Sequence, residues 1–331
     1  MPAHRAAALL PDTLAALAGS DLPREAWELI VVDDGSDDDT GLVAARWADR
    51  VIRLPGPPRG PGHARNAGAR AARAPWVVFV DADVRAHPDM LRRIAAAIAR
   101  DPAIVAVFGS YDDQPQARGL LTEYRNLLHR YVHCREAGDA QTFWAGCGAV
   151  RRDAFEAVGG FDVVRFSRPQ IEDIELGYRL RDRGGRIVLD PSVQGTHLKR
   201  WRFATMVRTD VRDRGIPWMR LLLERRGRTA PTLNTGRVEQ VKVALSGLAL
   251  VAVLVAVVLR DVRPLMLSGA VLLALVLTNL PVYSWFARER GTRFALSVVP
   301  LHLLYYLTSA VAATIGIALH LGRPRHVARA A

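Results

Sequence analysis

Only two of the 331 residues are cysteines, Cys134 and Cys147, and only two are lysines, Lys199 and Lys242. Two cysteines are too few for a disulfide framework, and their spacing matches no metal-ligand pattern. The start shows no charged segment followed by a sustained apolar run, so no signal-peptide pattern is visible there. Internal repeats and low-complexity linkers are also missing. The most informative absence is of charge: Asp, Glu, Lys and Arg vanish from 243–259, 264–287 and 294–321. Each stretch approaches or exceeds the roughly 20 residues needed to cross a bilayer. A set of buried helices in a soluble protein would not repeat such stretches in series with Arg-bearing links, so they predict about three transmembrane helices over 241–322.

What is present is basic and apolar: the net charge is +12 and half of the residues are hydrophobic. Beside membrane spans, an arginine excess points to anionic headgroups rather than nucleic acid, and no nucleic-acid module is visible. Up to about residue 199 strand-like and helix-like segments alternate, which predicts an α/β domain with functional residues at strand ends. Helices are expected at 9–18, 40–48, 64–72 and 90–100, and strands at 28–32, 51–54, 76–80 and 104–109. Residues 200–240 then interleave Trp201, Phe203, Met206, Trp218 and Leu221 with Arg202, Arg208, Arg212, Arg220, Arg225 and Arg226. That mixture suits a helix in the membrane interface, and it suits an amphipathic helix packed on the domain equally well. A basic tail occupies 323–331.

Three acidic motifs follow apolar runs. Val31-Val32-Asp33-Asp34-Gly35-Ser36 can present acceptors to a base or ribose, although Asp-Gly-Ser is also ordinary turn chemistry. In Val80-Asp81-Ala82-Asp83, strand alternation would aim both carboxylates the same way, suiting Mg²⁺ or Mn²⁺ bound to a diphosphate. A solvated strand-to-loop junction has the same composition. Ile171-Glu172-Asp173-Ile174-Glu175 opens a helix expected to end near Arg183, where carboxylates either favour the positive helix end or supply a general base.

Taken together and in this order, Asp33-Asp34, Asp81-Ala82-Asp83 and Glu172-Asp173 resemble the inverting family 2 glycosyltransferases of GT-A fold, a Rossmann-like architecture. Gly62-His63-Ala64-Arg65-Asn66-Ala67-Gly68 is similar to that family's donor-side helix. Gly159-Gly160-Phe161-Asp162 is similar to its loop before the acidic helix, and Gly146-Cys147-Gly148-Ala149 to its acceptor-side segment. The resemblance covers about residues 2–201. It implies a nucleotide-sugar donor, with Asp33 or Asp34 and Arg65 at the nucleoside, and Asp81 and Asp83 at the metal and ribose-diphosphate. Asp173 is implied as catalytic base with Glu172 in support, and Gly146 and Cys147 lie on the acceptor side. His197-Leu198-Lys199-Arg200-Trp201 resembles the Gln-x-x-Arg-Trp signature of processive members with His in place of Gln. His197 is there a candidate third metal ligand, Arg200 a partner of the diphosphate and Trp201 a stacking surface for an acceptor sugar.

The implied enzyme is a hexosyltransferase of the inner, plasma membrane, with its catalytic domain over 1–199 facing the cytoplasm and a lipid or glycan acceptor. A processive polysaccharide synthase and a catalytically silent scaffold of the same fold are the alternatives. Met1-Pro2-Ala3-His4-Arg5-Ala6 starts at the family's Pro-Ala-x-Asn-Glu-like turn, without its first strand and without the Asn-Glu pair, so the sequence predicts an incomplete sheet and a native start upstream of Met1. Arg225, Arg226, Arg228 and Arg237 before the first span, and Arg288, Arg290 and Arg293 after the second, agree with cytoplasmic loops. Three crossings would leave Arg323, Arg325 and Arg329 outside. One apolar segment is therefore expected to be re-entrant or flat, with Pro281 and Pro300 as break points.

Overall fold

The computed structural model describes residues 1–228, 230 and 232–322. They form two compact units, the first holding Met1–Trp201 and the short stretch 232–234, the second the helices from Arg202 onward.

In the first unit the chain runs β1 (Pro2–Ala3), α1 (Leu10–Ala18), β2 (Ile30–Asp33), α2 (Thr40–Ala44), β3 (Arg50–Arg53), α3 (Pro61–Ala71), β4 (Trp76–Val80) and β5 (Val84–Ala86). It continues through α4 (Met90–Arg100), β6 (Ile104–Tyr111), α5 (Leu120–Arg135), β7 (Gly138–Ala140), β8 (Cys147–Arg151), α6 (Arg152–Ala157), α7 (Glu172–Asp182) and β9 (Arg186–His197). Strands β1, β2 and β3 make a parallel sheet in that order. The other sheet runs β4-β8-β6-β9-β5, with β7 also paired to β9. It is mixed: β6 and β9 are parallel, while β8 and β5 are antiparallel to their neighbours.

The first strand, expected to be absent, is represented by two residues. Pro2 and Ala3 pair with Val32 and Asp33, and the Met1 nitrogen donates to Ile30 O at 2.9 Å. Even this short ladder covers the edge of β2 from which Asp33 and Asp34 emerge.

Side-chain alternation divides the core between the two faces of the mixed sheet. Val80, Val107, Cys147 and Ala149 pack with Leu10, Leu14, Met90 and Ile94 on one face. Phe79, Phe108 and Val150, their immediate neighbours in sequence, pack with Phe143, Phe155, Phe161 and Leu176 on the other. A strand covered on both sides needs a continuous apolar run, which 104–108 provides. Helix α4 meets this core through Met90, Leu91, Ile94 and Ala97, one stripe of a 3.6-residue period.

In the second unit α8 (Phe203–Arg208), a π-helical stretch 209–215 and α9 (Ile216–Glu224) follow one another without a break. After a loop come α10 (Arg237–Leu259), α11 (Arg263–Thr278), α12 (Leu280–Arg290) and α13 (Thr292–Leu321). Among the described residues α10 and α13 are long and apolar enough to cross a membrane. The span expected over 264–287 is not one helix: α11 and α12 meet at a 56° bend. Pro281, at the start of α12, withholds an N–H there, and Asn279 donates through Nδ2 to Leu275 O at 2.8 Å. Pro300 is accommodated inside α13, so the second expected break does not occur. The basic tail at 323–331 lies outside the described residues.

Candidate active site

Asp33 and Asp34 leave β2 fully buried, and both are spent on shaping the loop that follows. Asp33 Oδ1 accepts the Ser36 N–H at 3.0 Å, with Oδ2 3.9 Å from Arg53 Nε. Asp34 accepts the backbone N–H groups of Arg59 and Gly60, the latter at 2.7 Å. The two carboxylates thus hold 35–36 against 53–60, and an open pocket lined by Gly35, Ser36, Arg53, Leu54, Pro55 and Gly56 lies at this corner. Gly35 has φ +68°, and a Cβ there would lie 2.4 Å from Gly56 O, so only glycine allows the two loops to meet.

Helix α3 starts immediately after this corner with Pro61 in its first turn and carries Arg65 inward. The guanidinium, only 6% exposed, donates to Asp81 Oδ1 at 2.6 Å and to Glu172 Oε1 at 3.0 Å. It thereby ties the end of β4 to the start of α7. One turn position on, Asn66 closes a two-way amide pair with the Phe161 backbone at 2.9 Å in both directions. That pair fixes the Gly159-Gly160-Phe161-Asp162 loop beside the same helix.

Asp81-Ala82-Asp83 does not continue β4 as alternation predicted. Val84 N–H donates to Asp81 O at 3.0 Å, closing a turn that separates the two carboxylates. Asp81 goes to Arg65, whereas Asp83 faces His197, the last residue of β9, with Oδ2 3.6 Å from Nε2. Pairing of Val84 with His197 across β5 and β9 sets this register, and the His197 ring stacks on Tyr111 with centroids 4.2 Å apart. Burial would raise Asp83, but His197 and then Lys199 outweigh it and hold its pKa below the ordinary carboxylate value. Burial pushes Asp81 upward, opposed by Arg65.

The expected metal-ligand set Asp81, Asp83 and His197 is therefore not assembled, and no cluster of three or more His, Cys, Asp or Glu side chains disposed to bind a metal occurs among the described residues. Asp83 and His197 nevertheless fit a hard divalent cation. Two ligands at about 2.1 Å from one ion lie about 3–4 Å apart, and such ions take one or two protein ligands with phosphate oxygens and waters completing the shell. Among the described residues His197 Nδ1 is buried without a partner, which leaves the Nε2 side as the one that meets a charged group.

The first turn of α7 carries Glu172, Asp173 and Glu175, and their neighbours separate their roles. Glu175 is held by Arg179 at 2.7 Å, one turn along the same helix. Glu172 is held by Arg65 and by the Gln170 N–H at 2.9 Å. Among the described residues Asp173 accepts only backbone N–H groups, from Ala145 at 3.2 Å and Ile174 at 2.8 Å. Burial first, and then Glu172, push its pKa up to about 6.

Of the acceptor-side residues, Gly146 permits a close approach: a Cβ there would sit 2.3 Å from the Trp144 indole. The Gly146 carbonyl accepts the Asp81 N–H at 3.3 Å, joining this segment to the acidic turn. Cys147 is instead a core residue, with Sγ 3.0 Å from Met90 Sδ and its thiol pushed up to about 12 by burial, so it presents nothing to a substrate. Trp201 has Lys199 Nζ 4.4 Å and Arg125 Cζ 5.1 Å from its ring centroid, and Arg200 beside it is exposed.

Several neighbours escaped sequence reasoning. Trp144 lies 4.8 Å from both Tyr111 and His129, and His129 lies 3.9 Å from His133. The i,i+4 spacing of the two histidines on α5 was the one available signal. Asp112 accepts from Thr196 and pairs with His87 Nε2 at 2.9 Å, pinning the ends of β6 and β9 that carry Tyr111 and His197.

Residues 1–159 match the family model of Glycosyl transferase family 2. Over 217 residues the chain is 32% identical to validoxylamine A glucosyltransferase of Streptomyces hygroscopicus subsp. jinggangensis, covering 56% of this chain and 51% of that enzyme. The succinoglycan biosynthesis protein ExoO of Rhizobium meliloti is 43% identical over 82 residues, 24% of each chain. The chain thus spans half the length, or less, of these relatives. Among solved structures, the mannosyltransferase PcManGT of Pyrobaculum calidifontis, in complex with GDP-Man and Mn²⁺, superposes with a TM-score of 0.59 at 21% identity, over 95% of this chain and 85% of its own. The 1-349 portion of TarS of S. aureus gives 0.50 at 18% identity, over 98% and 91%. Both structural likenesses concern the fold. Motif order, sheet topology and sequence similarity agree: residues 1–159 carry the match to Glycosyl transferase family 2, on a fold of GT-A type.

Proposed function

We propose that the chain is a membrane-attached, inverting glycosyltransferase that moves a sugar from a nucleotide-sugar donor to a hydroxyl of a lipid or other membrane-proximal acceptor. The observation that carries this reading is the isolation of Asp173. Of the three carboxylates opening α7 it alone lacks a cationic or side-chain partner among the contacts described above, and its pKa of about 6 suits a base working near neutral pH.

In this reading the corner formed by Gly35, Ser36, Arg53 and Leu54 receives the nucleoside, with Asp33 and Asp34 holding its walls. Arg65 fixes Asp81 and Glu172 at the reacting centre. When bound at Asp83 and His197, Mg²⁺ or Mn²⁺ supplies charge neutralisation to the diphosphate leaving group. Asp173 takes the proton from the acceptor hydroxyl as its oxygen bonds to the anomeric carbon. The bond from that carbon to the diphosphate oxygen breaks on the opposite face, and the nucleoside diphosphate departs with the electron pair. One displacement of this kind inverts the anomeric centre. Trp201, with Lys199, Arg125 and Arg200, forms a basic and aromatic corner suited to an acceptor that carries phosphate.

The apolar helices support attachment to a bilayer, and the arginines at 225–237 support a cytoplasmic catalytic side, where nucleotide sugars are made. PcManGT was solved with a nucleotide sugar and Mn²⁺, which favours the same donor class and cofactor here. The test is turnover of UDP-, GDP- and dTDP-sugars by detergent-solubilised protein with Mn²⁺ or Mg²⁺, with and without a membrane lipid extract. The expected result is lipid-stimulated release of one nucleoside diphosphate, abolished in Asp173→Asn while donor binding by calorimetry persists. Equal turnover by the variant would remove Asp173 from the mechanism, and no release from any donor would favour a silent scaffold.

A further inference from the structure

Helix α13 has 30 residues and is therefore about 45 Å long at 1.5 Å per residue, ample to cross hydrocarbon about 30 Å thick. Two sets of contacts argue that it does not. The first lies at Tyr306, midway along the helix. Its hydroxyl, with one proton to donate, lies 2.7 Å from Glu239 Oε2 and 3.0 Å from Asn279 Oδ1. Lys242 Nζ joins them, donating to Glu239 at 3.0 Å and to Asn279 at 2.9 Å. Glu239 and Lys242 belong to the opening turns of α10, and Asn279 closes α11. These residues mark the open end of the α10–α11 hairpin, whose closed end is the turn at Arg260 and Asp261. If α13 crossed the bilayer, Tyr306 would sit near its midplane and hold this ion pair there. The start of α10 would then be at the centre of the membrane, so α10 and α13 cannot both be spans.

The second set of contacts lies six to ten residues farther along. A Cβ on Gly215 would meet Ala312 Cβ at 2.5 Å, and one on Gly316 would meet Met219 Cβ at 2.8 Å. Positions 215 and 219, and 312 and 316, are each one turn apart, so the two helical segments run side by side in the same direction. The segment on the other side of this contact carries Arg208, Asp210, Arg212, Asp213, Arg214 and Arg220, which confine it to the headgroup region. The end of α13 must share that depth. Its start is equally polar, following Arg288 and Arg290.

We infer that α13 lies along the membrane interface, in the leaflet where α10 begins. Among the described residues, the α10–α11 hairpin is then the part that inserts. The exposed stripe of Val311, Ile315 and Leu319 rests among the acyl chains of that leaflet, while the neighbouring Ala312 and Gly316 face the arginine-bearing segment. The end of α13 stays on the same side of the membrane as residues 202–228. This rests on the membrane attachment proposed above.

The test uses the full chain in a Cys134→Ser background, because Cys147 is buried. Single cysteines are placed by Glu224→Cys, Val262→Cys and Gly322→Cys, and membrane vesicles of known sidedness are labelled with an impermeant maleimide. Gly322→Cys should label from the same side as Glu224→Cys, and Val262→Cys from the opposite side. Labelling of Gly322→Cys from the Val262→Cys side would overturn the inference. An environment-sensitive fluorophore on Val311→Cys gives a second reading: nitroxides near the headgroups should quench it several-fold more than nitroxides at the bilayer centre, and the reverse order would also overturn it. Recovery of the unmodified chain in the soluble fraction after lysis would instead refute membrane attachment, and this inference with it.

Discussion

Replacing Asp173 by Asn should make the protein more stable and inactive. The carboxyl is half-buried, and its pKa rises from 3.8 to about 6, chiefly through burial and then through Glu172. A raised carboxyl pKa means that the folded state prefers the protonated form. The stability this confers is complete below pH 3.8 and is lost as pH rises through about 6. At pH 7.5, holding Asp173 ionised therefore costs about 3 kcal/mol relative to its neutral form. Asn removes that cost and retains one oxygen for the N–H groups of Ala145 and Ile174, which a neutral acceptor binds more weakly. The net gain should be about 1–2 kcal/mol at pH 7.5, or about 2–8 °C in Tm for a unit of this size. It should shrink toward zero at pH 4.5, where the wild-type group is already protonated. Scanning fluorimetry of both proteins at the two pH values measures this directly. In the wild type, kcat should rise with pH through about 6 and level off above it, since only the carboxylate accepts a proton. A variant less stable than wild type at pH 7.5, or a stability difference independent of pH, would refute the reasoning.

Glu172→Gln removes one of the two carboxylates neutralising Arg65, and should lower stability by about 2–3 kcal/mol because Asp81 still holds the guanidinium; urea unfolding measures the loss, and donor affinity should fall with it. Asp83→Asn weakens the pair that fits a divalent cation and should raise the Mn²⁺ concentration for half-maximal donor hydrolysis about tenfold or more, with fewer Mn²⁺ ions bound by electron paramagnetic resonance. Asp34→Ala strands the N–H groups of Arg59 and Gly60 and should cost about 2–4 kcal/mol. Because Asp34 holds one wall of the corner assigned to the nucleoside, calorimetry should show a weaker affinity for free nucleoside diphosphate as well.

Local patterns carried much of the fold. Residues 76–80 and 90–100 coincide with β4 and α4, because a short apolar run and a clean 3.6-residue stripe are properties of the segment alone. The partners of the strands were not legible. Nothing in 147–151 announces that β8 lies antiparallel between β4 and β6, since that pairing joins residues 40 to 75 positions apart. The acidic motifs were visible as compositions but not as geometries. Alternation pointed Asp81 and Asp83 the same way, and a turn at Ala82 sends one to Arg65 and the other to His197. Cys147 was assigned to the acceptor side along with Gly146, yet strand alternation turns it into the core against Met90. The break in 264–287 was marked by Pro281, whereas the partners that hold Asn279 come from two other helices and left no local trace.

The most direct measurement follows the anomeric carbon itself. A nucleotide sugar labelled with ¹³C at that position would be incubated with the protein, a divalent metal and a membrane lipid extract, and the product read by NMR. The account predicts one nucleoside diphosphate released per glycosidic bond formed, with the anomeric configuration inverted and the signal absent with Asp173→Asn. A product of retained configuration, or transfer that survives in that variant, would contradict it.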